Sequence, residues 1–461
     1  MGVKKGDRVA MLLPNCPEFV IIYFGVVKMG GIALPLNVRY KVDELASLFN
    51  DSQPKVLVAE NPPLEQLASA LPRFKYIEHV IDLDDKHKGQ FVSYHQIITT
   101  SSARRIEVAL EPEDTALIAY TSSPTANPRG VVLSHRSMAA EAVISSRGFQ
   151  QTDKDIEILF ALPMHHVMGL VGVMLTAIYK GSTVVIVPGL SIKGVMETIE
   201  RERGTIFMGV PYIYALMVDM AKQEGIESDL SSLRLCGSAG APLPPSIIRR
   251  FKQHFGRDII DFWGLTEAAC HATCPPIDGS GKFGSVGKAL PGWELKIVDD
   301  NGRVLPKNQP GEIIVRGPIM KGYYNNPEAT AEVIKDGWLH TGDIGRVDKD
   351  GYLFISGRKK EMIIQKGQNT FPGDIEAVLK THPKVAETAV VGVPDEIRGE
   401  IVRAYISLKK GEMITEEEIK HFCREHMANY KVPKQIIFLD SLPKTTTGQI
   451  RKEDLTRLSP Q

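Results

Sequence analysis

Apolar residues run without interruption through Val9-Ala10-Met11-Leu12-Leu13, and again through Ile32-Ala33-Leu34-Pro35-Leu36 and Val56-Leu57-Val58-Ala59. Runs with no polar alternation mark strands buried on both faces, as in a parallel sheet. Between them, Glu18 to Met29 is mostly apolar and ends at Gly30-Gly31, and Val42 to Asn50 follows; both predict helices. Strand and helix alternating with short turns predict a doubly wound α/β layer. The same logic places strands at Thr115–Tyr120, at Ile158–His166 with two histidines at its end, at Ser182–Val187 and at Asp258–Ile260, and helices at Ile192–Glu202 and Pro244–Phe255. A β-rich part follows from Leu295 to Arg316. Beyond it the pattern predicts a helix at Gly373–Thr381 and strands at Glu387–Val393 and Ile401–Leu408. A further helix is opened by the capping box Thr415-Glu416-Glu417-Glu418, with Ile419, Phe422 and Cys423 on one face.

With 461 residues the chain exceeds one ordinary core, and two or three domains are expected. Lys+Arg and Asp+Glu each number 55, so no net field points to a nucleic acid or an anionic membrane as partner. Cysteine usage, five residues, suggests reduced thiols and a cytoplasmic setting. Cys270, His271 and Cys274 lack a second ligand pair at zinc-like spacing. The longest apolar stretches, Phe19 to Val27 and Val167 to Tyr179, fall short of the ~18 residues that span a bilayer, so no transmembrane segment is expected. The first residues lead straight into a strand with no signal-peptide pattern.

Four stretches carry candidate chemistry. Tyr120-Thr121-Ser122-Ser123-Pro124-Thr125-Ala126-Asn127-Pro128-Arg129-Gly130-Val131 places small hydroxylated residues and one arginine between two strands. Such a loop can converge N–H and O–H groups on an anion, with Arg129 adding a planar cationic fork; a solvated surface turn has the same composition. Leu233 to Leu243 joins a strand to the small residues Gly237-Ser238-Ala239-Gly240-Ala241, which let a flat ligand approach the backbone, or make only a tight turn. Asp261-Phe262-Trp263-Gly264-Leu265-Thr266-Glu267 combines an aromatic, a hydroxyl and a carboxylate; a core Trp263 and a surface Glu267 are the bland alternative. Gly337-Trp338-Leu339-His340-Thr341-Gly342-Asp343 ends in a Gly-Asp pair that alone is usually just a turn, though its carboxylate offers two accepting oxygens.

In this order the stretches resemble the AMP-forming acyl-CoA synthetases and related adenylate-forming enzymes. The family's loop reads Tyr-Thr-Ser-Gly-Thr-Thr-Gly-x-Pro-Lys-Gly-Val. Here Ser123 and Ala126 replace glycines, Pro124 a threonine and Arg129 a lysine. Each lost glycine removes easy access to positive φ, and Pro124 removes an N–H. The resemblance implies nucleotide contacts from Thr121, Ser122, Ser123, Thr125, Arg129, Gly240, Ala241, Asp261, Phe262, Trp263, Asp343 and Arg358. Trp263 would stack on adenine, Thr266 would hold a phosphate oxygen, and Glu267 would ligate Mg²⁺ through water. It implies acid-substrate contacts from His166, Gly237, Gly240 and Gly264, a hinge at Lys360, and a thioester-forming loop around Lys366. Leu442-Pro443-Lys444-Thr445-Thr446-Thr447-Gly448-Gln449-Ile450 matches the last family motif, except that Gln449 stands where the family has its catalytic lysine. Lys452, nearby, is expected at the surface.

The expected fold is α/β: a large N-terminal part of α/β layers plus a small β-barrel (residues 1–359), followed by a small mobile α+β C-terminal domain (360–461). Relatives carry another strand–helix stretch before the segment matching Val3 to Val9, so the N-terminal layer is expected to be short. The implied function is ATP-dependent carboxylic acid–CoA ligation by way of an acyl-adenylate, with ATP/AMP, Mg²⁺ and coenzyme A, acting on a fatty or aromatic acid. Adenylation is expected to be slowed by Gln449 and the altered loop. A binding homologue without catalysis and an enzyme loading a carrier protein stay open, as does the oligomeric state, a homodimer included.

Overall fold

The computed structural model describes the chain except residues 88, 105, 121–128, 190, 226–227, 242, 362, 366–367, 371, 396–398, 428, 446–447 and 457–461. Its N-terminal part is built on two stacked sheets. The first has eight strands, in the order Gly322–Tyr323, Gly130–Ser134, Thr115–Tyr120, Ile32–Pro35, Arg8–Leu12, Val56–Ala59, His79–Asp82 and Val92–Ser93. From Thr115–Tyr120 onward neighbouring strands run parallel, whereas Gly130–Ser134 and Gly322–Tyr323 turn antiparallel at one edge. The second sheet is wholly parallel, in the order Ile259–Asp261, Leu235–Ser238, Ile206–Gly209, Ile156–Leu159 and Thr183–Ile186.

The apolar runs have the predicted consequence. Val9 and Met11 enter one core while Ala10 and Leu12 enter another, so the strand is buried on both faces. The first of these cores is shared between the sheets, because Leu159, Ile206, Met208 and Leu235 of the second sheet pack into it. The helix Pro17–Lys28 starts with proline in its first turn, where no N–H is missed, and carries Glu18 and Lys28 at the ends its dipole favours.

Two expectations are corrected. The strand predicted over Ile158–His166 is Ile156–Leu159 and stops there. Ala161 adopts φ 54° and Pro163 has no N–H to offer a ladder, so both histidines fall in the turn beyond the strand. The predicted barrel is an open five-stranded antiparallel sheet. Its long strand Trp338–Val347 has Gly311–Arg316 on one side and both Ile334–Lys335 and Leu353–Arg358 on the other, with Glu294–Val298 outermost. No pairing among the described residues closes it.

After the short 3₁₀ turn Lys359–Glu361, which contains Lys360, the chain forms a smaller α+β domain. Its sheet is centred on the hairpin Val385–Asp395 and Gly399–Leu408, with Gln435–Phe438 parallel to the latter. The helices Pro372–Leu379 and Glu416–His426 cover it. The predicted capping box is present, with the Thr415 hydroxyl accepting from the Glu418 N–H, and Ile419 and Cys423 are buried beneath.

Candidate active site

The candidates from Gly237 to Ala241 and from Asp261 to Glu267 lie at or just beyond the C-terminal ends of two neighbouring strands of the second sheet. Ligands of parallel α/β sheets characteristically bind at such ends. Ser238 and Asp261 are last residues of neighbouring strands and pair in register. Burial pushes the Asp261 carboxyl up to about 8 against a backbone N–H from Leu243, so this acid is held largely neutral near pH 7. Phe262 is buried, with its ring tilted on those of Phe149 and His271.

Trp263 is also buried, and its indole N–H donates to Asp343 Oδ2 at 2.9 Å. Arg358 lies on the other carboxylate oxygen, with Nε 3.2 Å from Oδ1. The two are cross-strand partners: Trp338–Val347 and Leu353–Arg358 pair Asp343 directly with Arg358. Burial raises the Asp343 carboxyl above its usual range, while Arg358 and the indole N–H pull it back and the Glu267 charge adds to the rise.

Thr266 and Glu267 open a single 3₁₀ turn, Thr266–Ala268. That turn is held by Gly264, whose α-carbon sits so close to the carbonyl of Cys270 that any side chain there would strike backbone. Gly237 is similarly confined by Met208 and the Phe262 ring, so smallness at both glycines serves the protein's own packing. Gly240, at φ +82°, has only Val210 Cγ1, at 3.9 Å, near where a side chain would begin. Its carbonyl accepts a hydrogen bond from the Gln449 side-chain amide. This contact brings the C-terminal domain onto the site, along with Gly448 against the Tyr212 ring and the Lys444 ammonium 5.6 Å from that ring's centre. Ala241 is half-buried beside it.

His166 is half-buried, and desolvation lowers its basicity. Its ring lies 4.6 Å from that of His165. Thr121, Ser122, Ser123, Thr125 and Lys366 lie outside the described residues. Arg129, the first described residue after the loop, places its guanidinium 5.3 Å from the centre of the Tyr323 ring.

Two residues were given no role by the sequence reading, and a third was placed differently by it. Tyr323 donates its hydroxyl to Glu267 Oε1 at 2.9 Å. Glu141, fully buried, accepts from Ser145 Oγ, the His271 backbone N–H and Trp293 Nε1. Burial drives its acidity to about 8, and burial lowers the His271 imidazole to about 4. Lys452, expected at the surface, is instead an ion-pair hub. It meets Glu376 at 2.8 Å and Glu361 at 3.1 Å, because the final helix, Lys452–Thr456, packs against the strand Val385–Asp395 and its first residue reaches both acids. The capping geometry that makes the Thr415 helix legible has no equivalent for such long-range pairs.

No group of three or more His, Cys, Asp or Glu side chains among the described residues could hold a metal. A magnesium ion arriving on nucleotide phosphates needs only one or two carboxylates, and Glu267, with one oxygen bound by Tyr323, fits that demand.

Comparison with known proteins says what kind of chain carries this arrangement. The model of the AMP-binding enzyme family matches residues 1–324, and that of its C-terminal domain matches residues 374–449. The chain belongs to this family, the superfamily of AMP-forming acyl-CoA and aryl-CoA ligases. The indoleacetate–CoA ligase of Aromatoleum aromaticum is 36% identical over 99% of this chain and 89% of its own. The long-chain-fatty-acid–CoA ligase of Bacillus subtilis is 34% identical over 98% of this chain and 86% of its own. Among solved structures, ATP-bound MatB from Rhodopseudomonas palustris superposes with a TM-score of 0.90 at 31% identity, over 99% of this chain and 89% of that one. Superfamily-level chemistry is thus ATP-dependent ligation of an acid to coenzyme A through an acyl-adenylate. No helix among the described residues is long and apolar enough to cross a membrane.

Proposed function

We propose that the chain ligates a fatty or aromatic carboxylic acid to coenzyme A in two half-reactions at one site. In the first, a carboxylate oxygen attacks the α-phosphorus of ATP, and the bond to pyrophosphate breaks to leave acyl-adenylate. In the second, the coenzyme A thiol attacks the acyl carbon, releasing AMP and a proton. Neither step requires a protein nucleophile, so the protein contributes positioning and charge.

The observation that supports this reading best is a line of contacts joining distant segments: Arg129 over Tyr323, Tyr323 to Glu267, and Trp263 to Asp343 to Arg358. In this reading Asp343 receives the ribose hydroxyls, Thr266 and Arg129 face phosphate, Phe262 and Ala241 wall the base, and Asp261 lies at its rim. Glu267 would hold Mg²⁺, which supplies charge neutralisation between phosphate oxygens. The acid would lie along His166, Met168, Gly237, Gly240 and Gly264, with Ala268 to His271 behind. These surfaces are small or apolar, and the names of the two relatives span fatty and aromatic acids.

We place the domain boundary at 359/360 and take the smaller domain as mobile about Lys360. Gln449 on the Gly240 carbonyl, and the likeness to an ATP-bound relative, favour the adenylating arrangement for the present one. The loop around Lys366 would have to enter the same site for thioester formation, and two loops cannot occupy it together.

A second reading has one observation in its favour. Gln449 carries no charge and its amide is engaged with Gly240, as suits a nucleotide- or acyl-CoA-binding homologue with weak adenylation. Acid-dependent pyrophosphate release, followed by coenzyme A-dependent AMP release, decides between them. Both are expected on a panel of fatty and aromatic acids; absence of both on every acid would favour the binding homologue. A thermal-shift series of acyl-adenylate analogues of graded chain length identifies the acid class, since a ligand bound only by the native state raises stability.

A further inference from the structure

We propose that Tyr323 is a positioning residue that couples the phosphate-side cation Arg129 to the carboxylate Glu267, an inference that rests on the ligase reading of the site. The motif Gly322-Tyr323-Tyr324-Asn325-Asn326-Pro327 lies nearly two hundred residues after the phosphate loop, by the numbering. The fold nevertheless lays it along the strand that leaves that loop. Tyr323 pairs with Val131 and Gly322 with Val132, and the Tyr324 N–H donates to the Gly130 carbonyl at 2.7 Å. The Tyr323 N–H is itself held by Thr330 Oγ1 at 2.8 Å. The ring therefore has little freedom, and it is buried.

Its two faces of chemistry point to two partners. The hydroxyl donates to Glu267 Oε1 at 2.9 Å, while the Met320 N–H fixes the Glu267 backbone carbonyl at 2.8 Å. One carboxylate oxygen is thus occupied, which leaves the other to turn toward the phosphates. The ring lies 5.3 Å from the Arg129 guanidinium, within the range at which a cation is attracted to an aromatic ring. A planar guanidinium stacks on a ring in a way that a lysine ammonium does not. The arginine at position 129, where the resembled loop has lysine, is thereby matched to the aromatic side chain beside it. One side chain sets the distance between the positive and the negative wall of the phosphate site.

A strand that merely capped the sheet edge would need the Tyr323 ring but not its hydroxyl. Tyr323→Phe separates the two. Titration calorimetry with ATP is run on wild type, Tyr323→Phe, Glu267→Gln and the double variant, once with excess Mg²⁺ and once with chelator. We expect Tyr323→Phe to bind metal-free ATP as wild type does and to bind ATP with Mg²⁺ about 5- to 10-fold more weakly, the scale of one net hydrogen bond, since the hydroxyl acts on the metal at one remove. In the Mg²⁺-dependent increment the double variant is expected to lose no more than Glu267→Gln, because the hydroxyl reaches the metal through that carboxylate, its other partner being the Arg129 side chain. If Glu267→Gln itself keeps the full Mg²⁺-dependent increment, the metal assignment of Glu267 fails. If Glu267→Gln loses the increment and Tyr323→Phe keeps it, the inference about Tyr323 fails alone. Arg129→Lys tests the other arm and leaves the core untouched. Binding about 3- to 5-fold weaker with and without Mg²⁺ supports the stacking, and unchanged binding in both removes it.

Discussion

The indole N–H of Trp263 and the carboxylate of Asp343, 80 residues apart in sequence, meet at 2.9 Å inside the protein. The proposed ribose acceptor is therefore oriented from behind by the aromatic residue of another motif. Asp343→Ala should weaken ATP or AMP binding by ~1.5–3 kcal/mol, the scale of hydrogen bonds to a charged acceptor, without unfolding the protein. Trp263→Phe should cost less, about 1 kcal/mol, and should also change the pH dependence. The ionised carboxylate is the acceptor, and burial holds its pKa above the usual range, so affinity is full at high pH and lost as pH falls through the raised value. Without the indole N–H the ionised form loses a stabilising partner, and the loss should begin at higher pH. Calorimetry of AMP binding across pH on the three proteins checks both. Unchanged affinity in folded Asp343→Ala would end the ribose assignment.

Gln449 reaches Gly240 but brings no charge to the site. Losing one charge aimed at a transition state typically costs ~10²–10³-fold in rate. Wild type should therefore form acyl-adenylate slowly yet transfer supplied acyl-adenylate to coenzyme A readily, and Gln449→Lys should accelerate the first step far more than the second. Pyrophosphate release and single-turnover thioester formation measure the two separately. Equal adenylation by wild type and variant would mean that another group supplies the charge.

Lys452 ties the last helix to Glu376 and to Glu361 beside the interdomain turn. Burial disfavours its ammonium, but Glu376 and Glu361 outweigh that, and its pKa rises. Lys452→Ala leaves two acids facing each other without a cation and should destabilise the smaller domain by about 1.5–3 kcal/mol. Hydrogen exchange should show it, with faster exchange across Pro372–Leu379 and little change in the first sheet. Uniform exchange in both would argue against a local anchor.

Glu141 is protonated in the folded protein up to about pH 8, whereas an unfolded glutamate ionises near the usual value of 4.5. Its neutral form is what the fold accommodates. The stability it contributes is full below the unfolded pKa and declines as pH rises toward the folded one. The slope between them is on the order of 1 kcal/mol per pH unit. Glu141→Gln, which cannot ionise, should flatten that part of the dependence of thermal midpoint on pH. A variant with an unchanged slope would assign it to other groups.

Much of the architecture was legible because it rests on local signals. Val9 to Leu13 reads as doubly buried without reference to anything else, and Thr415 to Glu418 spells out its own cap. The Trp263, Asp343 and Glu267 motifs could be read only because each matches a stretch of the resembled family; Asp343 itself lies in mid-strand, where no local signal marks it. What stayed hidden depends on partners far along the chain. Nothing near Lys452 announces Glu361 and Glu376, and nothing near Tyr323 announces Glu267 and Arg129. The strand predicted through to His166 failed for a local reason of a different kind: apolar residues continue past Leu159, but Ala161 and Pro163 bend the backbone away. Whether a sheet closes into a barrel depends on pairings between its outermost strands, and hydrophobic pattern does not encode those.

The edge position of Gly322–Tyr323 has a consequence for how the chain is made. During synthesis the strand Gly130–Ser134 emerges long before its outer neighbour exists, and one flank of the eight-stranded sheet must wait, unpaired, until the entire second sheet has been translated. An open flank of this kind is a template for pairing with other chains. The nascent protein is thus most prone to aggregate over that interval, and ribosome-bound chains ending before residue 322 should need chaperone protection that chains ending beyond it do not.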